Sequence, residues 1–320
     1  MSEFDNFEAK PVLSETLVLQ FLRSRWADVR ELELVKGGSW SAAYRFVGDG
    51  RALIARFSEH LDDYRRDALA ATWRSEILPI PEMVLLGSTT GPLVAVAPYV
   101  AVTERLPGQP IESLSTDRMN RASKSLFERL ATLATVEVPG SGFGSVMDQM
   151  GNGEHRSWVD AVLAASERDE SRLPGWRAAV AAHERAAAAT RRAQQYLDDV
   201  AHVLPERRQI IHGDLTYNNV FVDDGDQVSA IFDWGCAMVG DGAYEAARLI
   251  FWSPWDIKVD KQLIVDFAEQ TYGAENLATR LCAYEAHVGI CELQYQGFTG
   301  TIDMTPTANR LNELLDQNME

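Results

Sequence analysis

Residues 210–234 read IIHGDLTYNNVFVDDGDQVSAIFDW. Two apolar, β-prone runs, 219–222 and 228–232, flank a turn full of carboxylates, the pattern of a β-hairpin. His212 and Asp214 stand just before it, Asn219 follows five residues after Asp214, and Asp233 closes the second run. A loop entering a strand presents Asp214 and Asn219 towards one point, and the returning strand brings Asp233 back to it. These three are expected to share a site. Asp223, Asp224 and Asp226 at the tip read as a solvated turn that points away and has no catalytic role.

Phosphoryl transfer asks little covalent chemistry of a protein. It needs a carboxylate to orient the attacking hydroxyl and take its proton, and oxygen ligands for Mg²⁺ on the nucleotide phosphates. Mg²⁺ prefers carboxylate and amide oxygens and keeps several waters, so one Asp and one Asn suit it. The spacing His-x-Asp-x4-Asn followed by a further Asp is that of a kinase catalytic loop. His-x-Asp alone is common; three polar positions at this spacing around two apolar strands are much less so.

Upstream of the hairpin the chain divides in character. Ser14 caps a helix through ETLVLQFLRSRW. ELELVKG, SAAYRFVG and ALIARFS follow as strands, then a helix over about 62–76, stopped by the prolines of LPIPEM. MVLLG and LVAVAPYVAV supply two more strands. Beyond RLPGQP the pattern turns helical: 115–135, a Gly-rich loop VPGSGFGS, a single long Ala-rich helix over 176–204, and helices near 243–251, 260–271, 276–298 and 306–318. The fold class is therefore α+β. Residues 1–103 form a small lobe of a leading helix and a five-strand antiparallel sheet. Residues 104–320 form a larger, mainly helical lobe that carries the hairpin.

The 320 residues contain 47 acidic against 30 basic side chains, a net charge of -17, which disfavours nucleic acid and anionic membrane as partners and suits a small cationic molecule. Three cysteines are too few and too irregular for a disulfide framework or a zinc site. The acidic N-terminus lacks a signal-peptide core, and no run approaches the roughly 18 apolar residues of a membrane span. The expectation is a reduced, cytoplasmic, monomeric protein.

HGDLTYNNVFVDD together with AIFDW resembles the central motifs of the aminoglycoside phosphotransferase family. LPIPEMVLLG, SGFG followed by WVDAVLAAS, and AMVGDGAYEAARLIFWSPW are most similar to the hygromycin B phosphotransferases within it, and the similarity runs over nearly the whole chain after about residue 15. The resemblance implies a protein-kinase-like two-lobed fold with ATP, or GTP as the alternative donor, bound between the lobes and Mg²⁺ as cofactor. It makes Asp214 the catalytic carboxylate, Asn219 and Asp233 the Mg²⁺ ligands, and His212 the brace of the catalytic loop. In ALIARF, Arg56 stands where most kinases place a lysine, and a guanidinium can hold phosphates bidentately. Asp67 is its expected partner, over Asp62, Asp63 and Glu76. KGGSWSAAY lacks a full Gly-x-Gly-x-x-Gly, so Gly37, Gly38 and Ser39 are the candidates to cover the phosphates, with an ordinary hairpin equally open. A hinge near Val102–Arg105, through Glu104, would meet the adenine.

Asp233 is followed at once by WGCAMVGDGAYEAARLIFW, with no long segment for a peptide substrate to dock on, which argues for a small acceptor. Carboxylates and aromatic faces suit an aminosugar. Trp252, Trp255, Tyr284, Glu285, Glu292 and Tyr295 are available for that; Asp241 and Glu245 match the resemblance too, as acceptor groups or as supports of the loop. Together these imply ATP-dependent phosphorylation of an aminoglycoside hydroxyl, hygromycin B first, and hence antibiotic resistance. The same fold also serves choline, homoserine, thiosugar and macrolide kinases. A nucleotide-binding scaffold without turnover would have no need of all three polar positions.

Overall fold

The computed structural model describes residues 10–35, 38–215, 217–255 and 259–318. It opens with α1 (Glu15–Arg23), which buries Val18, Phe21 and Leu22, one stripe of the helix, against a sheet. That sheet is antiparallel and contains β1 (Val29–Val35), β2 (Ala42–Gly48), β3 (Arg51–Ser58), β4 (Met83–Ser88) and β5 (Tyr99–Glu104), in the order β1-β2-β3-β5-β4. On β3 alternation decides what faces where: Leu53, Ala55 and Phe57 are fully buried in the core under α1, so Arg56 must emerge on the opposite face. There it meets α2 (Leu61–Ala71).

Two expected elements are divided in the structure. LVAVAPYVAV is a short 3₁₀ turn, Gly91–Ala95, and then β5. Pro98 has no N–H for a ladder, and Thr89 closes the intervening loop by donating its N–H to the Pro98 carbonyl (2.9 Å) and its hydroxyl to that of Ala97 (2.7 Å). The Ala-rich helix is likewise broken at His183, which leaves helical backbone (φ -95°, ψ 95°) and accepts the Ala186 N–H on Nδ1 at 3.2 Å. A ring nitrogen thereby caps a second helix, a polar alternative that propensity alone does not register.

The larger lobe has two more sheets. β6 (Gln109–Pro110) pairs with β10 (Val220–Val222), which pairs with β11 (Val228–Ile231). β7 (Phe143–Val146), β8 (Gly153–His155), β9 (Gln209–Ile211) and β12 (Met238–Gly240) form the other, in the order β8-β7-β12-β9. The end of the expected Gly-rich loop, from Phe143, is thus strand β7. The hairpin β10–β11 is suspended between β9 and β12, so its entrance and exit are fixed by one sheet.

The helices are α3 (Thr116–Leu133), α4 (Trp158–Leu163), α5 (Trp176–Ala182), α6 (Glu184–Val200), α7 (Ala243–Trp252), α8 (Lys261–Tyr272), α9 (Leu277–Thr299) and α10 (Thr305–Asn318). α9 packs against α5, α6, α7 and α10 and is buried on nearly every side. It is the axis of the lobe. Leu69, Ala70, Leu78 and Ile80 join this core, so α2 is anchored to the helical lobe as well as to the sheet. Among the described residues no helix is long and apolar enough to cross a membrane.

Candidate active site

β9 carries Ile210 and Ile211 into the core, and the next residue, His212, is fully buried. Its Nε2 lies 3.0 Å from the Phe232 carbonyl and its Nδ1 accepts the Asp214 N–H at 3.3 Å. A carbonyl can only accept, so Nε2 bears the proton and the ring is neutral; burial lowers its pKa accordingly. His212 thus ties the start of the catalytic loop to the end of β11. Gly213 turns the chain with φ +76°, and a Cβ there would press into the Cys236 carbonyl oxygen. Its N–H donates to Glu245 Oε1 at 2.9 Å. Gly213→Ala is therefore expected to cost about 2–4 kcal/mol from backbone strain and overpacking, and to lower kcat. Thermal unfolding and steady-state kinetics of the variant check this.

Asn219 ends a 3₁₀ turn, Tyr217–Asn219, that returns the loop towards Asp214. Its Nδ2 donates to the Asp214 carbonyl (2.8 Å) and to Asp214 Oδ2 (3.2 Å), leaving its amide oxygen without a hydrogen bond to any described residue. The hairpin register, Val220 opposite Ile231 and the Phe232 N–H on the Asn219 carbonyl at 3.1 Å, places Asp233 beside Asn219. Asp233 itself takes left-handed backbone, φ 65° and ψ 61°, one of the few places where a residue other than glycine does so. Its side chain is 52% exposed, yet desolvation still raises its pKa, with Arg56 opposing and Asp214 and Asp63 adding to the rise. Water reaches the group, and the neighbouring protein still disfavours its charge. Asp214 is similarly raised by burial, against the pull of Arg248 and Asn219.

From the sheet, Arg56 pairs with Asp67 and lies 3.4 Å from Asp233 Oδ1, its guanidinium 5.3 Å above the Tyr64 ring. The other Asp67 oxygen accepts the Trp234 N–H at 2.9 Å, so one carboxylate joins strand, helix and the turn after Asp233. Asp62 and Asp63 have other partners: Arg65 for the first, Arg66 and Arg172 for the second. Ser39 Oγ accepts from the Tyr295 hydroxyl on α9 at 3.3 Å, and the next residue, Trp40, stacks on Phe298 at 5.7 Å with Arg172 on its ring at 4.8 Å. Gly38, φ +75°, has open space around it; Gly37 lies outside the described residues. The turn of the small sheet thus reaches across to α9. Glu104, expected at the hinge, has part of its polar groups committed within the protein. Its N–H is committed to the Glu82 carbonyl (3.0 Å) and its carboxylate to Arg74 (3.1 Å), so neither is offered to a nucleotide.

The acceptor candidates separate into two groups. Glu292 and Tyr295 lie on the part of α9 that interacts with Asp214, and Trp252 and Trp255, 5.7 Å apart, continue the face of α7 that bears Glu245 and Arg248. Trp255 remains 37% exposed. The other three are structural. Tyr284 is fully buried, donating to Asp241 (2.8 Å) and accepting from Trp158 Nε1 (3.0 Å), while Asp241 is held by two guanidinium nitrogens of Arg280. Glu285 is 3% exposed and paired with Arg310 at 2.8 Å; Glu245 is 1% exposed beneath Gly213, a support of the loop. A helix packed on every side must pair its own polar groups, and Tyr284 and Glu285 are such pairs. Asp226 is corrected as well: it is 7% exposed and held by Arg118 (2.7 Å) and Arg121 (2.9 Å), which overcome its burial and keep its pKa low. Asp226 thus docks on α3, while Asp223 and Asp224 are exposed, as expected of the turn.

Sequence reasoning missed Arg248, whose Nη2 lies 2.5 Å from Asp214 Oδ1. Its only sequence signal is its position three residues after Glu245, on the same helical face. A concavity of about 260 Å³ beside Leu204, Arg207 and Asn276 shares no residue with this cleft.

The arrangement can hold a polyphosphate. Arg56 is a cation held in place by Asp67, and the Asn219 amide oxygen and the Asp233 carboxylate are hard oxygen donors of the kind that would suit Mg²⁺. A family model described as phosphotransferase enzyme family matches residues 31–280. Hygromycin-B 4-O-kinase of Escherichia coli is 27% identical over 299 residues, which span 92% of this chain and 83% of that protein. A crystal structure of aminoglycoside phosphotransferase APH(4)-Ia superposes with a TM-score of 0.81 at 25% identity, covering 95% of this chain and 99% of that one. A thermostable mutant of APH(4)-Ia in ternary complex with AMP-PNP and hygromycin B superposes with a TM-score of 0.80 at 24% identity, over 93% and 97% of the two chains.

Proposed function

The chain belongs to the phosphotransferase enzyme family, and on that premise we propose that it transfers the γ-phosphoryl group of ATP to a hydroxyl of hygromycin B. The observation that carries this is the contact of Asn219 Nδ2 with Asp214, which orients one face of the site for a hydroxyl and leaves the amide oxygen, beside Asp233, for a cation. The nucleotide enters between the lobes, divided near residue 103, with GTP as the alternative donor. Asp214 accepts the hydroxyl proton as the new P–O bond forms; the bond between the γ-phosphorus and the bridging oxygen breaks, and ADP leaves with its electron pair. Arg56 holds the phosphates, Asp67 holds Arg56, and His212 and Glu245 hold the loop. Mg²⁺, bound by Asn219 and Asp233, would neutralise charge on the phosphates.

Glu292 and the tryptophans Trp252 and Trp255 receive the aminosugar. Burial pushes the Glu292 carboxyl up to about 7, with Arg248 working against the rise, so it gains its charge across neutral pH. The acceptor KM is expected to fall by up to about tenfold between about pH 6 and about pH 8, as the carboxylate becomes available to an ammonium group. Glu292→Gln removes that part of the pH dependence and keeps KM at its acid value; parallel KM profiles of the two proteins check it, since the acceptor's own amines titrate equally in both.

The net charge of -17 supports a cationic antibiotic as acceptor and a cytoplasmic monomer that avoids nucleic acid and membranes, with resistance as the biological outcome. Assay of the pure protein with Mg-ATP against hygromycin B, other aminoglycosides, macrolides and choline tests the proposal. It predicts phosphorylated hygromycin B. Transfer to another acceptor alone overturns the substrate, and transfer to none overturns the function.

A further inference from the structure

We propose that Arg248 is the positioning residue of the reaction: it fixes the Asp214 carboxylate for proton acceptance and offers its remaining N–H groups to oxygens of the acceptor. The inference rests on the phosphotransferase reading above. Nothing in the motif around Asp214 announces it, because Arg248 lies 34 residues downstream.

Arg248 Nη2 donates to Asp214 Oδ1 at 2.5 Å while Asn219 Nδ2 donates to Oδ2 at 3.2 Å. With one donor on each oxygen the carboxylate plane can no longer rotate, and each oxygen keeps a second lone pair for a hydroxyl. The base of the grip is rigid. Ala246, Ala247, Leu249 and Ile250 of α7 are all fully buried, and Glu245, three residues before Arg248, holds the Gly213 N–H. One turn of α7 therefore holds the catalytic loop twice, by its backbone and by its reactive side chain. A loop residue gripped this way is placed by the packed core rather than by its own loop.

The guanidinium has donors left over. Its side chain is 14% exposed, Asp214 is its hydrogen-bonded partner, and Nε is buried without a partner. A buried, unpaired N–H of a charged group is costly, and beside the reactive carboxylate an acceptor oxygen is the group the remaining donors of the guanidinium would take. Other charged and titratable groups interacting with Arg248 are Glu292, Glu245, Tyr244, His212, Cys236 and Cys291. An ammonium placed directly at Asp214 would meet the guanidinium, so this cation favours the oxygen-bearing side of an aminosugar at the reacting end.

The test uses the full-length protein with Mg-ATP and hygromycin B. Arg248→Gln is expected to lower kcat about 100-fold and raise the acceptor KM, with the ATP KM and unfolding temperature close to wild type, because a misplacement of about 1 Å is enough for such a loss. Arg248→Lys, which keeps the charge and one donor, is expected to recover kcat to within about tenfold of wild type. A purely structural arginine would give equal losses in both variants, with lowered unfolding temperature and a raised ATP KM. That pattern overturns the proposal, as does wild-type kcat in Arg248→Gln. Should Arg248→Gln not fold, Arg248→Lys decides: a several-fold fall in kcat at unchanged ATP KM supports the proposal, and unchanged kinetics overturn it. If the wild-type protein phosphorylates no acceptor, the functional reading fails first and takes this one with it; if the wild type is active and only the variants depart from expectation, the inference alone fails.

Discussion

Asp214→Asn is expected to lower kcat by about 10³-fold or more while leaving nucleotide affinity within a few-fold of wild type. The substitution keeps the size and shape of the side chain and one acceptor oxygen, which can still take the Arg248 donor, while its amide nitrogen cannot accept from Asn219 Nδ2; it removes the basicity that receives the hydroxyl proton, an effect typically worth about 10²–10⁴ in rate. Nucleotide binding should persist because Arg56, Asp67 and Asp233 form their own connected group, whose links to Asp214 run through Asn219 and His212 rather than through the Asp214 carboxylate's charge. Single-turnover kinetics measure the chemical step, and titration with a fluorescent nucleotide measures binding. Wild-type turnover in this variant would remove Asp214 from the mechanism.

Asp233→Asn should have the other large effect, with a different signature. Asparagine tolerates the left-handed backbone that Asp233 adopts, so the turn into Trp234 is preserved and the charge is what changes. We expect kcat to fall by about 10³-fold and Mg²⁺ to lose most of its ability to tighten ATP binding. Stability should respond in the opposite sense. Burial and the Asp214 charge raise the Asp233 pKa above its unfolded value, so the stabilising contribution of the group is complete below the ordinary carboxylate pKa and is lost as pH rises through the folded one. At neutral pH the charge is a burden on the fold, and the variant should unfold no lower than wild type. Calorimetry alongside Mg²⁺-dependent nucleotide titration separates the two responses; joint loss of stability and binding would mean that Asp233 is a structural member of the Arg56 network.

The parts of this site legible in the sequence are those set by local rules. His212, Asp214, Asn219 and Asp233 lie within one hairpin, and strand alternation plus a fixed register converts their spacing into proximity. Arg56 and Asp67 are legible through the family resemblance, and the alternation of β3 and the helix after it explain why the two meet. What escaped reading depends on packing. Arg248 matters because α7 runs under the loop, and no local pattern reports that. Tyr284 and Glu285 resemble pocket residues in the sequence, yet the middle of α9 is enclosed by its neighbours and pairs them internally. Asp226 looks like one acid of a solvated turn until α3 supplies two arginines. The breaks at Pro98 and His183 were visible as residues, but each needed a specific hydrogen bond to outweigh its surroundings.

The claim at the centre of this account is that Asp214, Asn219 and Asp233 converge on one point where a hydroxyl meets a γ-phosphoryl group. A crystal structure of this protein with AMP-PNP, Mg²⁺ and hygromycin B tests it most directly. The account predicts one acceptor hydroxyl about 2.6–3.2 Å from an Asp214 carboxylate oxygen, and the metal on Asn219 and Asp233. An acceptor seated away from Asp214, or a metal held by other residues, would contradict it.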